Sequence, residues 1–242
     1  MGTLWLYAIS LDDVRDFFAA PADLSEQLLA TAKDVTHEPV KPPLIGKVGP
    51  LLRRPITPLI ELPTPCMADA RAMVEGRALT GDRLGPAWVI VRHWCAIYCR
   101  ESARVSVDRD QLATLDFAHV AMGLSSQFSF GTVLSRDPHL PLMPAPGLIV
   151  GWMPNAHVRR LVGQWGPATR DSSGASPSGS ADFSRSDTTG VGLTWPLRDA
   201  DTSDEWDKEW GVLNGFFAGA GEWATTPTGR RMMAPDVLAM YQ

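Results

Sequence analysis

The stretch from Leu84 to Cys99, Leu-Gly-Pro-Ala-Trp-Val-Ile-Val-Arg-His-Trp-Cys-Ala-Ile-Tyr-Cys, constrains the fold more than any other part of the chain. Leu84, Trp88, Val91, Cys95 and Cys99 recur at helical spacing and make one continuous stripe, while Ile90, Trp94 and Ile97 widen the apolar surface round a second side. Arg92, His93 and Arg100 are its main polar interruptions. A helix apolar over most of its circumference belongs inside a fold. At about 16 residues, broken by Arg92 and His93, it is too short to span a bilayer. The spacing predicts a central core helix over 84–100, and the rest of the chain must supply layers to bury it.

A chain of 242 residues is long enough to do so as one large domain. Its net charge of −5 gives no electrostatic reason to expect nucleic acid or an anionic membrane as partner. The start, Met1-Gly-Thr-Leu-Trp-Leu-Tyr-Ala-Ile, lacks the basic region and cleavage site of a secretory signal. The cysteines, Cys66, Cys95 and Cys99, are odd in number and two lie on the core helix, which suits a reducing compartment. The expectation is a cytoplasmic protein with no membrane span.

Residues 3–9 are apolar without clean alternation, the pattern of a strand buried on both faces. Ser10 followed by Asp13 reads as a capping box that opens a helix through Leu11, Val14, Phe17 and Phe18. A second helical pattern runs from Ala22 to Asp34. From 38 to 65 eight prolines interrupt every possible helix, yet Leu44, Ile45, Leu51, Ile56 and Leu59 persist between them. This segment reads as an extended strap, with Arg53-Arg54 as a solvated turn.

Met67–Glu75 reads as a short helix ended by Gly76, and 108–122 as another. Phe128-Ser-Phe-Gly-Thr-Val-Leu alternates at its start and reads as a strand or buried loop. Leu148–Trp152 reads as a strand, and Pro154 opens a helix through Val158, Leu161, Val162 and Trp165. The Ser/Gly-rich stretch 166–202 cannot bury enough surface to offset its ordering entropy and reads as a mobile insertion. Thr202-Ser-Asp-Glu is a further capping box, before an aromatic helix carrying Trp206, Trp210, Phe217 and Trp223. Asp236–Tyr241 reads as a closing strand. The fold expected is therefore α+β: one domain, 1–242, whose small sheet contains both terminal strands, wrapped by about six helices.

The densest chemical cluster is His93-Trp-Cys95-Ala-Ile-Tyr-Cys99. Both cysteines share a helix face, but His93 points well away, and Cys66 and His119 would have to complete a metal site from elsewhere. Periodicity favours buried core cysteines, so no metal is expected. Cys66, after Pro65 and ahead of a helix, could be a nucleophile if a histidine approached. The histidines (His37, His93, His119, His139, His157) form no HxxxH or HExxH pair, and no glycine-rich nucleotide loop or GxSxG elbow occurs. No cofactor is expected.

Two further features suit binding. Tryptophan is favoured at binding hot spots, so Trp206, Trp210 and Trp223 are candidates for an interaction surface, although core packing alone explains them. Arg92 and His93 are polar groups on an apolar helix, which need partners or a function.

The order of elements resembles a group of uncharacterised, largely actinobacterial proteins similar to the YfbM-like domain of unknown function. The segments that carry the likeness are Leu4–Val14, Phe128–Leu134, Gly147–Met153 and the aromatic helix ending in Asp236–Tyr241. The resemblance implies a compact α/β or α+β domain with no established activity, and it carries over no functional residue. By analogy, some small bacterial proteins of this sort serve as immunity proteins beside toxins. The functional expectation is a non-catalytic binding protein, an immunity or regulatory partner of another protein. The alternative is a small-molecule enzyme with a cleft near Arg92, His93 and residues of 128–152.

Overall fold

The structure, a computed structural model, describes residues 2–37, 63–121, 124–173 and 203–242, and of 118–119, 121, 165–173 and 203–207 the backbone alone. Within these residues four antiparallel strands form one sheet: β1 (Gly2–Ile9), β2 (Ser102–Val107), β3 (Ile149–Met153) and β4 (Asp236–Tyr241). Their order is β2-β1-β4-β3. Both terminal strands lie in the sheet, as expected, and they are its central pair, joined in register from Leu4↔Tyr241 to Ile9↔Asp236.

A strand with neighbours on either side and helices above and below is apolar on both faces, which is why β1 shows no polar alternation. Leu4, Leu6 and Ala8 join Ala103, Val105, Val107, Val237, Ala239 and Tyr241 in one core. Tyr7 and Ile9 join Val150, Leu238 and Met240 in the other.

Eight helices divide between the two faces in chain order. On the face of Tyr7 and Ile9 lie α1 (Leu11–Arg15), α2 (Ala22–Ala32), α3 (Met67–Val74) and α4 (Leu84–Tyr98). On the opposite face lie α5 (Arg109–Ala121), α6 (Phe130–Ser135), α7 (Asn155–Ser173) and α8 (Ser203–Trp223). The result is a three-layer sandwich with two more helices than sequence pattern suggests.

The predicted core helix is α4. Ala87, Ile90, Val91, Trp94 and Cys95 are fully buried, and Trp88 is 2% exposed. It is less completely buried than the spacing implies, since Ile97 is 45% exposed at the helix end.

Three local expectations are corrected. Phe128–Leu134 is not a strand: a 3-10 turn at Ser126–Phe128 leads into α6, whose Ser129 side chain accepts from the Thr132 N–H. The Asp116 carboxylate of α5 also accepts from the N–H groups of Phe130 and Gly131, so two side chains hold this helix start that alternation alone does not reveal. Strand β2 lies where sequence reading placed nothing, although Ala103, Val105 and Val107 alternate. The backbone of 166–173 continues α7 as helix through Gly166-Pro167, where a loop was expected. The Pro-rich 38–62, with Arg53-Arg54, and the Ser/Gly-rich 174–202 lie outside the described residues.

The capping box at Ser10 is not formed. Asp236 of β4 instead accepts from the Leu11 N–H (2.9 Å) and the Asn155 N–H (2.7 Å), so one carboxylate starts both α1 and α7. Asp13 is buried and accepts from the Arg231 N–H at 3.2 Å in the turn before β4. That turn passes so close that a Cβ on Gly229 would collide with the Asp13 carboxylate, and Gly229 has φ +74°, where only glycine is unstrained. Asp116, Asp13 and Asp236 are all pushed above the ordinary carboxylate range by burial, against the pull of these N–H donors.

At the β2 edge the sheet's free N–H groups would invite pairing with another chain. Glu209 of α8 accepts from the Ser106 N–H there at 3.1 Å.

Candidate functional site

The polar residues of α4 separate into groups with partners and one group without. His93 Nε2 lies 3.0 Å from the Thr31 carbonyl, and Trp94 Nε1 donates to the Leu28 carbonyl at 3.0 Å. Both carbonyls lie near the C-terminal end of α2, where helix carbonyls lack partners within the helix. His93 also faces Asp34 at 3.9 Å. Neighbouring positions on α4 thus fasten it to α2, and His93 is engaged by the fold.

Cys95 is fully buried and Cys99 half-buried, as the stripe predicts. Burial pushes the Cys95 thiol well up and the Cys99 thiol up to about 11, so neither is a ready thiolate. Among the described residues no group of three His, Cys, Asp or Glu side chains could hold a metal ion. The side chain of His119 lies outside the described set.

Cys66, the other candidate thiol, precedes α3 as its N-cap. Its N–H and its Sγ–H both donate to Asp69, at 3.0 and 3.2 Å. Arg83 grips the same carboxylate through Nε at 2.9 Å and through Nη2, and Nη2 also lies 3.2 Å from Cys66 Sγ. This is a capping box with cysteine in the usual place of serine, closed by an arginine. The thiol is taken up by the Asp69 carboxylate and the Arg83 guanidinium, so the arrangement serves the start of α3.

Arg92 is different. Its guanidinium lies over the ring of Trp5 on β1, 4.2 Å from the centroid. Burial pulls it below the ordinary arginine value, and Arg104 pulls the same way. Arg104 stands on β2 directly across from Trp5 in the sheet register. Among the described residues no carboxylate pairs with either arginine. Tyr7 lies nearby, its hydroxyl pushed up by burial.

Trp5, Arg92 and Arg104 therefore form a cationic ledge on the N-terminal helix face of the sheet, with a half-exposed indole as its floor. Arg92 was singled out by its place on an apolar helix. Arg104 and Trp5 were not, because the strand that carries Arg104 went unread. The alternation of Ala103, Val105 and Val107, which leaves Arg104 on the other face, is the signal that finds it.

The other sequence candidates fall elsewhere. Trp223 is 3% exposed, and Trp210 packs half-buried against the same core. The side chain of Trp206 lies outside the described set. Of the range 128–152, residues 128–134 sit on the opposite sheet face from α4, whereas Leu142, Ala145, Leu148 and Val150 pack in the same core as α4, and Trp88 Nε1 donates to the Met143 carbonyl at 2.8 Å. A shallow groove of about 520 Å³ lies between α2 and α3, lined by Ser25, Glu26, Leu29, Lys33, Met67 and Arg71 among others; neither Arg92 nor His93 lines it.

Comparison with known families, with curated proteins and with solved structures finds no match. The likeness to the YfbM-like group therefore rests on the residues quoted for it alone.

Proposed function

We propose that this is a non-catalytic binding protein that receives an acidic group of a protein partner on the Trp5–Arg92–Arg104 ledge, as an immunity or regulatory partner of another protein would. One observation carries the reading: a half-buried guanidinium, fixed in orientation by an aromatic ring, with a second arginine beside it and no carboxylate on either among the described residues. Holding the half-buried Arg92 charge beside the exposed Arg104 costs stability, and an arriving carboxylate offsets that cost. Arginine's planar fork suits such a group, and a charged pair formed at an interface steers association and fixes register.

The chain's net negative charge speaks against a nucleic acid or an anionic membrane as the partner. No helix among the described residues is long and apolar enough to cross a membrane. Three unpaired cysteines favour the cytoplasm. The competing reading, a small-molecule enzyme at Arg92 and His93, asks His93 for a proton-transfer role, whereas its Nε2 is taken up by the Thr31 carbonyl.

The test is a titration with hexaglutamate followed by indole fluorescence, with hexalysine as control. Quenching that follows the acidic peptide, falls with salt and disappears in the double variant Arg92→Gln, Arg104→Gln supports the reading. Absence of quenching, or equal quenching in the double variant, overturns it.

A further inference from the structure

Helix α8 carries Gly211, Gly215, Gly219 and Gly221, a composition that works against a helix, since each glycine costs about 1 kcal/mol relative to alanine. Packing inside the molecule does not explain two of them. A Cβ built on Gly211 or Gly215 would meet nothing within 4 Å.

At about 100° per residue, Lys208, Gly211, Val212, Gly215, Ala218, Gly219 and Glu222 share one stripe. Gly219 is half-buried and the rest are exposed. The stripe faces away from Leu213, Phe216, Phe217 and Ala220, which are in the core. Between its charged ends it holds nothing larger than valine. Glycine at this spacing lets a second helix approach closely.

A second observation lies beside it. Trp223 is 3% exposed, and its Nε1–H is a buried donor without an acceptor among the described residues. That nitrogen sits 3.5 Å from where a Cβ on Gly219 would be, so the unmet donor lies just beneath the stripe at one of its glycines. A buried N–H left unpaired costs free energy, and a turn of the indole into the space above Gly219, toward an acceptor on a helix seated here, would recover it.

The residues also say what that helix is. The stripe is symmetric about Gly215: Val212 and Ala218 lie three residues away, Gly211 and Gly219 four, and Lys208 and Glu222 seven. If a second copy of α8 crosses antiparallel at Gly215, glycine meets glycine, and each Lys208 meets the second copy's Glu222. An isologous two-fold contact requires this kind of self-complementarity.

We infer that the glycine face of α8 is the interface of an antiparallel homodimer of this chain. The contact runs about 21 Å at 1.5 Å per residue. A single-helix stripe of that length buries less than the roughly 800 Å² per partner of stable complexes, so the dimer is weak and concentration-dependent. The inference does not depend on the arginine ledge, which occupies the other face of the sheet.

Sedimentation velocity on the full chain, from about 10 µM to about 1 mM, tests it across the range of weak association. A monomer–dimer equilibrium is expected. Gly215→Arg abolishes the dimer and raises the melting temperature of the dilute monomer, because it fills open space and removes a helix glycine. Lys208→Glu weakens association about tenfold or more by setting like charges together twice. Adding Glu222→Lys to it restores the wild-type dissociation constant to within about threefold. A wild-type chain that stays monomeric throughout overturns the proposal. So does a dimer that survives Gly215→Arg, or a charge reversal that the second substitution does not rescue.

Discussion

Two pairs of arginines on this protein live in opposite circumstances. Arg231 grips Asp16 with both arms of its fork, at 2.8 and 2.6 Å, and Arg230 reaches Asp23 at 2.8 Å. Together with Asp13 beneath them, they rivet the turn before β4 onto α1 and α2. Arg92 and Arg104 share the sheet face that α1 to α4 cover, with an indole and, among the described residues, no carboxylate. The first pair is answered inside the chain and serves the fold. The second has no such answer among the described residues, and that difference separates a latch from the ledge proposed to bind.

The strongest way to break the comparison is to disable the latch. Gly229→Ala drives a Cβ into the Asp13 carboxylate at a positive φ, and it should cost about 3 kcal/mol or more by urea denaturation. Asp236→Ala leaves the Leu11 and Asn155 N–H groups without their acceptor and should cost about 2–3 kcal/mol. If either variant unfolds at the wild-type midpoint, the clasp is not what holds β4 to α1 and α7.

The carboxyl groups also titrate in an unusual direction. Asp13, Asp116 and Asp236 hold their protons more tightly folded than unfolded. Their contribution to stability is therefore complete below the ordinary carboxylate range and is lost as pH rises through their elevated values. Calorimetry between about pH 4 and about pH 7 should show a shallower fall in Tm for Asp116→Asn than for the wild type. An unchanged slope would mean that Asp116 titrates normally. Asp23, which Arg230 pulls down, works the other way, contributing above its unfolded value and losing that contribution as pH falls.

On the ledge the expected sign reverses. Arg92→Leu should leave the melting temperature unchanged or raise it, because it removes a partly desolvated charge with no counter-ion among the described residues, while binding of hexaglutamate is lost. A sharp loss of stability would make Arg92 a structural residue like Arg231. The smallest effect belongs to Ser10→Ala, within about 0.5 kcal/mol, since its hydroxyl makes no helix cap.

Much of the fold was legible because it depends on neighbours in sequence. The stripe of α4, the apolar runs of β1 and β4, and the helical spacing of α2, α3 and α8 are local patterns, and the structure follows them. What escaped depends on distant partners. The start of α1 is held by Asp236, 225 residues away, and not by the Ser10–Asp13 box that looks sufficient on paper. Phe128-Ser-Phe imitates a strand because the carboxylate that helps start α6 comes from Asp116. Strand β2 was hidden between two strong helical patterns, and Arg104 with it.

The site divides the same way. Arg92 announces itself as a charge on an apolar helix, but which charged residues find a counter-ion is a matter of tertiary placement. Core packing already sufficed to explain Trp223 from its helical spacing, and it fills the core.

The central pairing of β1 with β4 sets a delay on biosynthesis. Both cores are built on a strand pair that joins residues 4–9 to residues 236–241. At ribosomal rates of about 5–20 residues per second, β1 waits roughly 10–50 s for its partner after it is made. During that interval Leu4, Leu6, Tyr7 and Ile9 have only β2 to pair with, and neither face of the sheet can close. Such long-range pairing slows folding and leaves apolar strands open to chaperones and to one another. The nascent chain thus spends its most vulnerable seconds with its first strand made and its core unfinished.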